Sequence, residues 1–296
     1  MTKNQVTKKQ HYIWQEYLRP WQVNDKVWWK RKGIIKNTDT FSILRENYFY
    51  KIKEIGYDEY HFIINNYARS INEKAILNPY LKIFEKLDTL KNVDFYVSVD
   101  KVRSQIGENI TTAIENNGSE FLKELLNENL AIFDYNNKVI YEYLFFLFYQ
   151  YFRTKKWENI YVEKMKKEVS DKYKKLDFSA IWSWIKFFII SEYVVGLLHT
   201  KSHFITLLKN ESNVDFITTD QPIINLSWNH NSDLNVKEIK MLYPISPKYV
   251  IIFSNEYAFN QIRSVTEDEV ENFNRRLVNE SYEFVISKTQ NQLMNL

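Results

Sequence analysis

The sequence predicts an α+β fold: an N-terminal cap, a large helical middle, and a small, mostly antiparallel C-terminal sheet. Three observations carry that expectation. Only five glycines and five prolines occur in 296 residues, few for a many-turned β architecture. From about residue 58 to about residue 199, apolar positions recur at three and four, the period of helices. After Ser202 the period shortens to two, and Pro222, Pro244 and Pro247 fall in that stretch as sheet punctuation. Hydrophobic residues make up 45% and aromatics 17% of the chain, so a thick aromatic core is expected. No repeat or linker divides it, and one compact domain over residues 1–296 is the expectation.

Taken in order, His11-Tyr12-Ile13-Trp14-Gln15-Glu16-Tyr17-Leu18-Arg19 comes first. If it is helical, His11, Gln15 and Arg19 share one face, and Pro20 ends the helix. Val27 to Ile35 reads as a hairpin turning near Lys32-Gly33. Ile76, Tyr80, Ile83, Phe84 and Leu87 keep helical spacing, as do Ile110, Ala113, Ile114, Phe121, Leu122, Leu125 and Leu126. Tyr141 to Phe152 is apolar nearly all round, so it is expected at the centre. Asp177 stands where a cap is needed for the next buried helix, which runs to about His199. Residues 203–208 and 214–219 read as two strands of a hairpin across Asn210-Glu211-Ser212-Asn213, with further strands at 240–245 and 249–254 (sheet region about 202–255). Thr266-Glu267-Asp268-Glu269 fits a capping box for a last helix, about 266–287.

Composition excludes several function classes. The chain has no cysteine, which removes disulfides, thiolate metal sites and cysteine nucleophiles and fits a cytoplasmic location. The first residues lack the apolar run of a signal peptide. Ile181 to Leu198 has spanning length but carries Lys186 and Glu192, so a buried helix is expected and no membrane partner. Forty basic against 37 acidic residues give a net charge of +3, too mild to imply nucleic-acid binding by itself. The basic run from Lys155 to Lys175 alternates with Glu158, Glu163 and Glu168 and reads as a solvated helix face. No Walker A loop, dinucleotide-binding turn or nucleophile elbow is present. Nor is there a histidine-pair metal motif, although a carboxylate-rich Mg²⁺ site built from distant residues stays open.

The candidate chemistry lies at the two ends of the chain. His11 offers an acid or base, Gln15 an amide, and Arg19 an anion-binding fork, unless this polar face simply meets water. Asp220 closes an apolar strand just before Pro222, where a carboxylate is either delivered to a cleft or used in a local turn. Arg153 ends the most buried helix and is either the partner of a buried acid or carbonyl, or an anion ligand. Trp28 and Trp29, flanked by Lys26, Lys30, Arg31 and Lys32, could stack on and neutralise single-stranded nucleic acid.

Four motifs, the opening His-Tyr-Ile-x-Gln-x-Tyr-Leu-Arg, Gln-Tyr-Phe-Arg-Thr at 150–154, Phe-Ile-Thr-Thr-Asp-Gln-Pro-Ile at 216–223 and Tyr-Pro-Ile-Ser-Pro at 243–247, give the chain its resemblance to bacterial domain-of-unknown-function 4238 proteins. Trp14 stands where those proteins usually have proline, and Gln221 where they often have asparagine. The resemblance implies that His11, Gln15, Arg19, Arg153, Asp220 and Pro222 hold motif positions. Similar proteins occur beside bacterial defence genes, which implies a toxic effector, a hydrolase and in particular a nuclease acting on RNA or DNA. Under that expectation His11, Gln15 and Asp220 are catalytic, while Arg19, Arg153, Trp28, Trp29 and Lys30 hold substrate. The alternative is a non-catalytic scaffold that uses the same polar pocket for an anion or a partner defence protein.

Overall fold

A computed structural model describes residues 9–47, 49–67, 99–227 and 238–296. The helical spacing of Ile76 to Leu87, and His230, lie outside the described residues. The fold is α+β, as expected. It opens with a short strand β1 (Lys9–His11), a helical turn α1 (Gln15–Leu18) and a 3₁₀ turn (Arg19–Trp21). A hairpin follows, β2 (Lys26–Arg31) and β3 (Ile34–Asp39), then β4 (Arg45–Asn47). The hairpin turns on Lys32 and Gly33, both with positive φ, the conformation such tight connections require.

The opening nine residues are therefore not one helix. Antiparallel pairing of β1 with β4, His11 opposite Arg45, holds the first residues extended. Helical geometry starts only at Gln15, with Trp14 still extended in ψ. His11 thus leaves the face that Gln15 and Arg19 were expected to share with it.

The helical middle contains α2 (Tyr57–Tyr67), α3 (Val99–Leu126), α4 (Ile140–Phe152), α5 (Lys155–Glu168) and α6 (Phe178–Thr200). Eleven of the thirteen α4 residues are buried, which is why its sequence shows no polar stripe. Its rings pack on α3 (Phe146 with Phe121) and on the sheet (Phe148 with Phe253). Asp177 caps α6 by accepting from the Ser179 and Ala180 amides, as expected. By length and composition α6 is apolar enough to cross a membrane, but 61% of its most apolar window is buried inside the protein, as in a core helix.

Among the described residues the C-terminal third builds two larger sheets. One has the order β10-β5-β9-β8-β7, from β5 (Phe204–Asn210), β7 (Ile224–Asn225), β8 (Met241–Ser246), β9 (Tyr249–Ser254) and β10 (Gln261–Val265). Its pairs are antiparallel except β10 on β5. Alternate residues face opposite layers: Ile205, Leu207, Tyr243 and Ile251 join the helical core, while Leu208, Leu242 and Val250 pack toward α7 (Glu267–Glu280) with Val270 and Leu277. Both faces are buried, which explains the near-continuous apolar runs. The Thr266 and Glu269 capping box forms, and α7 stops at Glu280, short of the expected 287.

The predicted hairpin of 203–208 with 214–219 does not form. Only Thr218–Thr219 is a strand, β6, and it pairs with β11 (Val285–Ser287) in a second sheet ordered β3-β2-β11-β6. The N-terminal hairpin joins that sheet through β2 on β11 and is not a separate cap. A short helix α8 (Gln290–Met294) follows.

Candidate functional site: an acid–base cleft beside a polar framework

All four motifs meet in one hydrogen-bonded framework. Tyr17 Oη donates to the Pro244 carbonyl at 2.8 Å and so accepts from Thr218 Oγ1 at 2.6 Å. Trp21 Nε1 donates to the Phe216 carbonyl at 2.8 Å. Thr154 Oγ1 donates to Gln221 Oε1, whose amide nitrogen donates to the carbonyls of Tyr151 and Ile223. First, second, third and fourth motifs are thereby tied across more than 200 positions of sequence.

Asp220 belongs to this framework. It is 3% exposed, and its two oxygens accept separately from the Tyr282 amide (2.9 Å) and the Glu283 amide (2.7 Å). Its own amide donates to the Phe284 carbonyl. Burial pushes its carboxyl up to about 6, against the pull of those amides. Asp220 therefore fastens the turn between α7 and β11, and does not make the expected local turn. The local turn is made instead by Thr219, whose hydroxyl donates to the Gln221 carbonyl and accepts from the Gln221 amide.

Arg153 resolves as the partner of a buried acid. Its side chain is 0% exposed, and it donates to Glu115 Oε1 at 2.7 Å, to the His11 carbonyl at 3.3 Å and to Tyr50 Oη. These contacts are all to other parts of the protein, so the structure supplies a partner-of-an-acid role for Arg153 and shows none toward a substrate. Arg19 is 66% exposed and pairs with Glu16 at 2.5 Å. Trp28 and Trp29 point to opposite faces of β2, as neighbours on a strand must, so they form no joint stacking platform. Trp29 packs edge-on against Phe284, and Lys30 Nζ donates to the Leu293 carbonyl, tying α8 down.

Two predicted residues do line an open cleft. A cavity of about 300 Å³ is bounded by Gln10, His11, Trp14, Gln15 and Glu16 on one side, and by Tyr50, Glu108, Thr111, Thr112 and Glu115 on the other. The α3 residues stand at i, i+3, i+4 and i+7, one face of the helix. Gly107 lets the chain at Tyr50 lie against α3: a Cβ there would stand 1.8 Å from the Tyr50 carbonyl oxygen. His11 Nε2 lies 3.1 Å from the Thr40 carbonyl, which can only accept, so the proton sits on Nε2 and Nδ1 is left as an acceptor. Burial and the nearby Arg45 and Arg153 charges lower the imidazole pKa, partly offset by that carbonyl. Burial raises the Glu115 carboxyl despite Arg153. Gln15 Nε2 reaches Thr40 Oγ1 at 3.4 Å.

Glu108, Thr111, Thr112 and Glu115 escaped sequence reading because an i, i+3, i+4, i+7 polar stripe looks the same whether it meets water or a cleft. The available signal was Arg153: a buried arginine demands an acid, and Glu115 is that acid. Among the described residues no three His, Asp or Glu side chains converge closely enough to hold a metal.

Fold and geometry define an α+β protein whose two ends are locked by a polar framework that stands beside an acid–base cleft. The chain belongs to DUF4238, a family of proteins of unknown function, whose model matches residues 9–181 and 187–291. No curated protein and no solved structure matches it.

Proposed function

We propose that the protein is a hydrolase whose chemistry lies in the cleft between His11 and Glu115. One observation carries this reading: a neutral imidazole and a carboxyl with a raised pKa line the same cavity, which suits them to opposite proton roles. His11 Nδ1 takes the proton of an attacking water, and Glu115 gives a proton to the leaving group. Arg153 orients Glu115 from behind, and Gln15 and Thr112 supply hydrogen bonds to a polar substrate. Asp220, expected at sequence level as catalytic, has no part in this scheme.

The finer reading, a cytoplasmic nuclease acting as a toxic effector in bacterial defence, is a second step and has its own support. It rests on the motif resemblance and on the basic hairpin of Lys26, Lys30, Arg31, Lys32 and Lys36. Against it stand Glu16 and Glu108 in the cleft, whose charges repel a bare phosphodiester. A specific observation also favours the binding-protein alternative. Most of the motif residues, Arg153, Asp220, Gln221 and Tyr17 among them, are consumed by framework bonds.

Inducible expression of wild type, His11→Ala and Glu115→Gln in a bacterium, with growth, RNA and DNA integrity followed, tests both steps. The hydrolase reading predicts that both variants lose about 10²-fold or more of the effect while melting as folded proteins. Full effect in His11→Ala removes the hydrolase reading of this cleft. Intact nucleic acid in cells that the wild type nevertheless poisons removes the nuclease step alone.

A further inference from the structure

A second cavity, of about 670 Å³, opens between α5, α6 and the chain entering β5. Its walls among the described residues are rings: Phe152, Trp157, Tyr161, Trp182 and Tyr193. Two stacked pairs set their planes, Tyr161 on Trp182 with centroids at 5.0 Å and Phe152 on Tyr193 at 5.9 Å. That volume lies in the range of small-molecule sites, and ring walls favour a planar apolar guest.

Two independent features point to an occupant. His203 is 9% exposed, lines the cavity, and has Nδ1 on Ser202 Oγ at 3.0 Å. Its Nε2 is buried and has no hydrogen-bond partner among the described residues, while the Ile239 backbone lies beside the ring. Gly196 is the other. It sits within α6 at the rim, has no positive φ, and a Cβ built on it meets nothing within 4 Å among the described residues. Neither backbone geometry nor packing calls for glycine there, and glycine is less favourable than alanine inside a helix. What the missing side chain leaves is an open entrance.

We propose that this cavity binds a small, uncharged, fused-ring organic molecule carrying one hydrogen-bonding group, which docks at the His203 end of the cavity. The charge follows from the described lining residues, which supply Glu192 at the rim and no Lys or Arg for an anionic guest. This site is separate from the His11 cleft, and its test does not depend on the hydrolase reading.

Purified full-length protein titrated with N-phenyl-1-naphthylamine, followed by probe fluorescence and tryptophan quenching, provides that test. The wild type binds one probe per chain with saturation, and dodecanoate does not displace it. Gly196→Leu, which fills the entrance, weakens binding about tenfold or more with no loss of melting temperature, and Gly196→Met acts as a second block. Gly196→Ala binds as the wild type, and His203→Ala weakens binding about fivefold through the lost hydrogen bond. No saturable 1:1 binding by the wild type, undiminished binding by both blocked variants, or displacement by dodecanoate would overturn the proposal.

Discussion

The corner around Asp220 and the cleft around His11 contain similar residue types but use them differently. At Asp220 each polar atom ends on backbone: two amides on the carboxylate, and a carbonyl on its own amide. At His11 the side chains line a cavity, shared with Gln15 and the α3 residues Glu108 and Glu115. Tyr12, next to His11 in the chain, faces the other way, where Asp220 and Glu283 add to burial in raising its phenol pKa. One short segment thus separates a polar network closed on backbone from one that lines a cavity. A motif carboxylate is not catalytic by virtue of its motif; what its oxygens accept decides.

The largest effects that could break this contrast are on stability. Asp220→Ala takes the acceptor from the part-buried Tyr282 and Glu283 hydrogen bonds, at about 1–3 kcal/mol each. Urea melts should show that loss, and any lost activity should follow the unfolded fraction. Arg153→Met leaves Glu115 without its cation, a change expected to cost about 3–5 kcal/mol. It should also raise the Glu115 pKa further, which a pH titration of that variant would register. Stability near wild type in either case would move the residue out of the framework.

Much of the fold was legible. The continuous apolar run at 141–152, the Asp177 cap, the capping box at Thr266 and the turn at Lys32-Gly33 are local signals, and each formed. What failed was remote pairing. Thr218 finds Ile286, and His11 finds Arg45, because tertiary packing chooses partners that no local pattern specifies. The candidate site was half legible: His11 and Gln15 line the cleft, whereas its α3 wall had the signature of a solvated face.

Smaller effects sharpen the comparison through pH. The folded-state pKa of His11 lies below its ordinary 6.5, so the unfolded chain takes up a proton first as pH falls. The resulting stability is present above about pH 6.5 and is lost as pH falls from there through the folded pKa. Asp220 has the opposite sign. Its pKa is raised from 3.8 to about 6, so its protonated form favours folding at low pH, and that contribution is lost as pH rises through this window. Melts of wild type and His11→Asn at several pH values should differ in slope below pH 6.5 and run parallel above it. If the cleft is catalytic, activity should also show two limbs, one lost as His11 protonates and one lost as Glu115 ionises.

The most direct test of the division between framework and cleft needs no substrate. Urea denaturation of Asp220→Ala and His11→Ala at pH 7.5 compares the two regions on one scale. The account predicts a loss of at least about 2 kcal/mol for Asp220→Ala and about 1 kcal/mol or less for His11→Ala. Equal losses, or a larger loss for His11→Ala, would contradict it.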